Sequence, residues 1–150
     1  MKIYEIKVKQ NLNSNIENVF NFFSKPTNLA KITPKRLGFK IITPLPIEMK
    51  YGTIIDYYIK IFSLPIRWRT IITNYEYPSQ FIDQQLKGPY SFWHHTHTFE
   101  ETENGTIIKD QIRYVVPFGL LGRILNYLWI KRDLKNIFEY RKKKIKQLIK

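Results

Sequence analysis

Three features of the chain predict an α+β architecture, with a curved antiparallel sheet of about seven strands wrapped on one long C-terminal helix. Strand-like runs succeed one another through the middle of the sequence, and short turn-forming segments separate them. Beyond the break at Pro117, Phe118 and Gly119, the apolar period changes to that of a helix continuing to Lys150. Short connections between successive strands imply antiparallel neighbours. A helix of such length needs a broad apolar surface to lie against, and the preceding strands supply a sheet.

Residues 3–8 alternate with Tyr4, Lys7 and Lys9 as a half-exposed strand does, and that strand ends near Asn11. Ser14, with Glu17 three residues on, reads as a capping box, and Ile16, Val19, Phe20 and Phe23 form a helical stripe running to about Ser24. Pro26 starts a second short helix that buries Leu29, Ala30 and Ile32 and stops before Pro34. Strands are expected over residues 38–43, 52–62, 66–77, 81–86, 90–101 and 106–116. The segments Ser63-Leu64-Pro65, Tyr77-Pro78-Ser79, Lys87-Gly88-Pro89 and Glu103-Asn104-Gly105 carry turn chemistry, and Asn104-Gly105 is the strongest hairpin signal among them.

From Leu120 onward, Leu120, Ile124, Tyr127 with Leu128, Leu134, Ile137 with Phe138, Ile145 and Leu148 recur at helical spacing. They predict one helix of about thirty residues, roughly 45 Å long at about 1.5 Å per residue. Gly119 and Gly122 weaken its start, so the first turn is expected to fray or move. Trp129, beside Lys131 and Arg132, reads as an ordinary helix contact rather than a membrane anchor.

A length of 150 residues fits a single domain spanning 1–150. The hydrophobic content of 43% and aromatic content of 15% exclude a disordered chain. The absence of cysteine excludes disulfides and thiolate metal sites. Glu5, Lys7 and Lys9 interrupt the opening where a signal peptide would be apolar, and the apolar stretches 114–122 and 124–130, split by Arg123, are each too short to span a bilayer. A soluble, cytoplasmic protein is expected.

The net charge is +13, and residues 131–150 hold nine basic against two acidic side chains, more than half of the excess. One reading is a solvated helix end that also suits the helix macrodipole. The other is a patch formed by Arg141, Lys142, Lys143 and Lys144 for an anionic membrane. Lysines outnumber arginines 18 to 7, which favours diffuse charge over bidentate base recognition, so no specific nucleic-acid partner is expected.

The phrase Gly88-Pro89-Tyr90-Ser91-Phe92-Trp93-His94-His95-Thr96-His97-Thr98-Phe99 resembles the GPY..W.H.H.F pattern of a bacterial subgroup of the SRPBCC superfamily. Trp68, residues 81–85, Asp110 with Tyr114, Pro117-Phe118-Gly119, and Arg132-Asp133-Leu134 ahead of Phe138 and Tyr140 extend the similarity over nearly the whole chain. The superfamily holds START-type lipid-transfer domains and birch-pollen-allergen-like proteins. The resemblance therefore implies a helix-grip fold and the binding of a hydrophobic or amphipathic small molecule, as carrier or sensor. Members of the subgroup are often labelled cell-division-related.

A strongly curved sheet cannot touch a straight helix everywhere, so a cavity lined by alternate strand residues is expected between them. On the 90–101 strand, Trp93, His95, His97 and Phe99 share the face taken as inward. Phe81, Asp83 and Gln85 match them on one neighbour, and Asp110, Ile112 and Tyr114 on the other. With Trp68 and Phe118, these residues give the candidate ligand-binding set: Trp68, Phe81, Asp83, Gln85, Trp93, His95, His97, Phe99, Asp110, Tyr114 and Phe118. Their polar members admit three roles. They can satisfy one another as a buried network; they can orient a ligand's head; or a His95, Asp110 and Tyr114 group can perform acid–base chemistry of a cyclase or hydrolase kind. His95 and His97 have the spacing of two metal ligands on one strand face, and Asp83 or Asp110 could complete a site, but no third histidine or cysteine is placed to join them, so no metal or cofactor is assigned. Entry is expected near residues 117–122 and the facing 63–65 and 87–89 loops.

Overall fold

Strand β1 (Tyr4–Leu12) pairs with the last strand, β7 (Gly105–Val115), in the computed structural model, which describes residues 1–149. Between them lie α1 (Ile16–Phe23), α2 (Pro26–Lys31), a 3-10 turn at Lys35–Leu37, and strands β2 (Lys40–Ile41), β3 (Ile54–Ile61), β4 (Leu64–Glu76), β5 (Gln80–Lys87) and β6 (Phe92–Thr102). The single seven-stranded sheet has the order β1-β7-β6-β5-β4-β3-β2, and every neighbouring pair is antiparallel. Register shifts at Arg69/Thr70 and Ile72/Asn74 interrupt the β4–β5 ladder, and such irregularities bend and twist a sheet. A helical rod follows as α3 (Gly119–Leu125), a π-helical turn at Asn126–Ile130, and α4 (Lys131–Leu148). This is the expected α+β arrangement, and Lys150, the expected helix end, lies outside the described residues.

Several local readings change for identifiable reasons. Asn15 rather than Ser14 caps α1, its Oδ1 accepting from the Asn18 amide at 2.8 Å. The Ser14 carbonyl is meanwhile engaged by the Thr106 hydroxyl of β7 at 2.8 Å. In α2, Ala30 is exposed and Asn28 is buried, because the Asn28 amide donates to the Phe22 carbonyl at 2.8 Å and ties the two helices together. Only Lys40 and Ile41 of residues 38–43 form strand. The β3–β4 turn is made by Phe62 and Ser63, both at positive φ (51° and 65°), so Leu64 and Pro65 already belong to β4. Two consecutive left-handed residues match the strand twist of a tight hairpin. Glu103 and Asn104 form the β6–β7 turn, while Gly105 enters β7 where its backbone lies too close to the Leu12 carbonyl for a side chain.

Two apolar clusters pack under the sheet. One joins Val19 and Phe20 of α1 to Phe81, Phe99, Ile108 and Ile145, with the Phe20 ring meeting Tyr75, Tyr77, Phe81 and Phe99 edge-on. The other joins Trp68, Trp93, Ile112 and Tyr114 to Val116, Leu134 and Phe138. Leu134, Phe138 and Ile145 thus face the sheet as expected.

The first half of the rod does not. Leu120, Ile124, Tyr127 and Leu128, expected in the buried stripe, are all exposed, as is Leu148 at the far end. The buried positions before Ile130 are Gly122 and Asn126. A four-residue step runs through the π-helical turn from Gly122 by Asn126 and Ile130 to Leu134 and Phe138, turning the apolar residues of α3 away from the sheet. Gly122 sits against the Pro117 carbonyl where a Cβ has no room, so this glycine permits close packing. The Tyr114 hydroxyl donates to Asn126 Oδ1 at 2.7 Å, fixing the other buried position.

Candidate functional site

Antiparallel register assembles a polar cluster on the concave face of the sheet. β6 alternates strictly, with Trp93, His95, His97 and Phe99 buried and the residues between them only half-buried. Across the ladders, Asp83 of β5 stands opposite His95, and Asp110 of β7 stands opposite His97. His95 Nε2 lies 2.8 Å from Asp110 Oδ1, and His97 Nε2 lies 2.6 Å from Asp83 Oδ2. His97 Nδ1 approaches Asp110 Oδ1 at 3.2 Å, and the two imidazoles stack with ring centres 3.7 Å apart. Phe81 covers the outer face of His97 at 4.1 Å, and Phe138 of α4 meets His95 edge-on at 5.8 Å.

The environment separates the two histidines. Burial alone would push His97 down, but its hydrogen bonds to Asp110 and Asp83 and the charges of both carboxylates outweigh this and raise it to about 9. Burial and the neighbouring His97 charge lower His95, against the pull of its Asp110 bond. Burial likewise opposes ionisation of Asp83 and Asp110, yet the histidine bonds hold both below the usual carboxylate range. Near neutral pH the quartet therefore reads as Asp83 and Asp110 ionised, His97 protonated and His95 neutral, with one net negative charge.

The compensating cation is Arg141. Although its sequence neighbours Lys142, Lys143 and Lys144 suggest an outer patch, it turns inward, lines the cavity and packs over the Phe138 ring at 4.9 Å. Burial pushes its guanidinium down while Asp110 and Asp83 pull it up, and a guanidinium stays charged regardless. The sequence carries the signal for this placement, since Leu134, Phe138, Arg141 and Ile145 follow one helical face.

The cavity between sheet, α2 and α4 has a volume of about 330 Å³. Of the expected set, Trp68, Phe81, Asp83, Trp93, His95, His97 and Phe118 line it. The others sit elsewhere. Gln85 is occupied by the 88–90 turn, donating to the Tyr90 carbonyl at 2.7 Å and accepting from its amide at 3.2 Å. Phe99 belongs to the α1 cluster, Asp110 stands behind the histidines, and Tyr114 is directed at Asn126. Burial first of all raises the Tyr114 hydroxyl to about 12, and its partner is not His95. The His95, Asp110 and Tyr114 acid–base grouping is thus not assembled towards the cavity.

Beyond Arg141, Tyr57 also lines the cavity outside the expected set; it stacks on Trp68 at 5.8 Å, and burial drives its hydroxyl up. The inward alternation of Ile55, Tyr57, Ile59 and Ile61 on β3 carries that signal. Asp83, His95 and His97 bring donor atoms within 4.8 Å of one another, the sole such group of three among the described residues. They could hold a divalent ion only by surrendering the proton and hydrogen bonds just described.

No family model matches the chain, and no curated protein matches it. Solved structures do. A protein of Chromobacterium violaceum superposes with a TM-score of 0.74 at 14% identity, over 97% of this chain and 96% of its own. A protein of unknown function from Staphylococcus aureus gives 0.72 at 15% identity over 96% and 91%. Ara h 8.0201 gives 0.62 at 10% identity over 94% and 96%. At such identities the likeness establishes architecture alone: the chain adopts the birch-pollen-allergen-like helix-grip fold.

Proposed function

We propose that the protein is a carrier or sensor that binds a hydrophobic or amphipathic small molecule between the sheet and α4. One observation carries the reading: an apolar cavity of about 330 Å³, within the range of small-molecule sites, has Asp83, His95, His97 and Arg141 in its wall. Two buried donors in its wall, Trp68 Nε1 and Arg141 Nε, have no acceptor among the described residues. Tryptophan and arginine side chains donate and cannot accept. A guest with an apolar body and an acceptor oxygen, such as a carboxylate or carbonyl, complements such a wall. The phrase from Gly88 to Phe99 further supports placement in the SRPBCC superfamily and its bacterial GPY..W.H.H.F subgroup.

Native mass spectrometry of freshly purified protein is expected to show a lipophilic adduct. Titration with fatty acids, isoprenoids, sterols and flat aromatic acids should then produce a saturable change in tryptophan emission from Trp68 and Trp93. Arg141→Met should weaken an oxygen-bearing guest about tenfold, the worth of one hydrogen bond to a charged group. A protein that carries no adduct and saturates with none of these compounds overturns the proposal.

A further inference from the structure

The twelve residues of α3 and the π-helical turn form a helix that is inside out. Its sheet-facing positions are glycine and asparagine, while Leu120, Leu121, Tyr127 and Leu128 are 72%, 59%, 83% and 62% exposed. The patch extends beyond the helix. Phe118, held at φ 74°, is 74% exposed, and Phe62 at the β3–β4 tip is 77% exposed and stacks on Trp129 at 4.7 Å. Leucines turned to water along a whole helix face mark an interaction surface.

Charge selects the partner. Residues 117–132 contain Arg123, Lys131 and Arg132 and no acid, and residues 60–67 contain Lys60 and Arg67 and no acid. Arg67 is tied to Asp56 at 3.0 Å, whereas Lys60, Arg123, Lys131 and Arg132 are exposed and make no ion pair among the described residues. Two copies meeting on this face would bring these like charges together with no acid from either segment, which disfavours self-association. Apolar side chains bordered by cations, with Trp and Tyr among them, have the composition of a helix lying in the headgroup region of an anionic bilayer. At roughly 18 Å, from about 1.5 Å per residue, the segment is far too short to span one. No helix among the described residues is long and apolar enough to cross a membrane.

We propose that the protein docks reversibly on anionic membranes through residues 118–130 and the Phe62 hairpin tip, with Lys60, Arg123, Lys131 and Arg132 meeting the headgroups. The surface adjoins the cavity, since Phe118, Leu125 and Trp129 also line it. Docking nevertheless goes beyond the ligand-binding reading, and a cavity that takes no guest leaves it standing.

Sedimentation of the full chain with phosphatidylcholine vesicles, and with vesicles of equal parts phosphatidylcholine and phosphatidylglycerol, tests the proposal. Binding to the anionic vesicles, weakened by salt and nearly absent on the neutral ones, is expected. The double variant Leu121→Gln, Leu128→Gln should bind at least about tenfold more weakly, since two leucines no longer leave water. Its melting temperature should stay near that of the parent, because both leucines are already exposed. Lys142→Glu with Lys143→Glu, on the C-terminal tail, should change binding far less than the leucine pair. In the parent chain, Trp129 emission should shift to the blue on vesicles, and Trp129→Phe should remove the shift. The proposal fails if neither vesicle binds, if the tail variant abolishes binding while the leucine variant does not, or if the leucine variant instead abolishes a vesicle-independent dimer.

Discussion

In α4, Leu134, Phe138 and Ile145 turn towards the sheet and most lysines turn out, whereas in the preceding segment Gly122 and Asn126 turn in and the leucines turn out. Both halves belong to one rod, and both show apolar residues at helical spacing. The apolar stripe of a helix thus reports that a face is to be removed from water without saying what removes it. For α4 the sheet does so. For residues 119–130 the sheet-facing side is already set by the Pro117 carbonyl against Gly122 and the Tyr114 hydroxyl on Asn126.

The contrast can be broken most sharply beneath α4. His97→Gln removes the cation between two ionised carboxylates, and breaking a buried pair in this way costs about 3 to 5 kcal/mol. The folded imidazole titrates near 9 against 6.5 when unperturbed. Its contribution is therefore fully present below about 6.5 and is lost as pH rises through about 9. Melting curves of parent and variant should lie furthest apart between about pH 5 and 6.5, while the carboxylates remain ionised, and converge above about 9. A gap independent of pH would mean that His97 is not the charged member.

Ile145→Ala should cost about 2 to 5 kcal/mol, because Ile145 is only 3% exposed within the α1 cluster, while Leu121→Ala should stay within about 0.5 kcal/mol. Urea denaturation of the two variants compares the halves directly, and equal losses would mean that α3 is buried in solution by something else. Between these two falls Asn126→Ala, which orphans the Tyr114 hydroxyl and should cost about 1 to 3 kcal/mol. If it costs nothing, the inside-out orientation does not depend on that anchor.

Much of the site was legible from alternation. The two-residue period of β6 placed Trp93, His95 and His97 on one face, and β5 supplied Phe81 and Asp83 to the same side. Gln85, Phe99, Asp110 and Tyr114 share that face but not the cavity, because period fixes a side chain's direction and not its distance from the open space. Arg141 shares a helical face with Leu134, Phe138 and Ile145, but in a run of four basic residues charge masks the helical phase that turns one of them inward.

By itself, the sequence determined the strand order of a meander, the helical rod, the α+β class and the aromatic and histidine-bearing concave face, because these follow from local periods and from connections too short to allow other pairings. The tertiary structure alone decided which carboxylate meets which imidazole and that the first half of the rod shows its leucines to solvent. Those outcomes depend on cross-strand register and on one hydroxyl and one carbonyl claiming the inner side of the helix, and such interactions between distant residues leave no period in the chain.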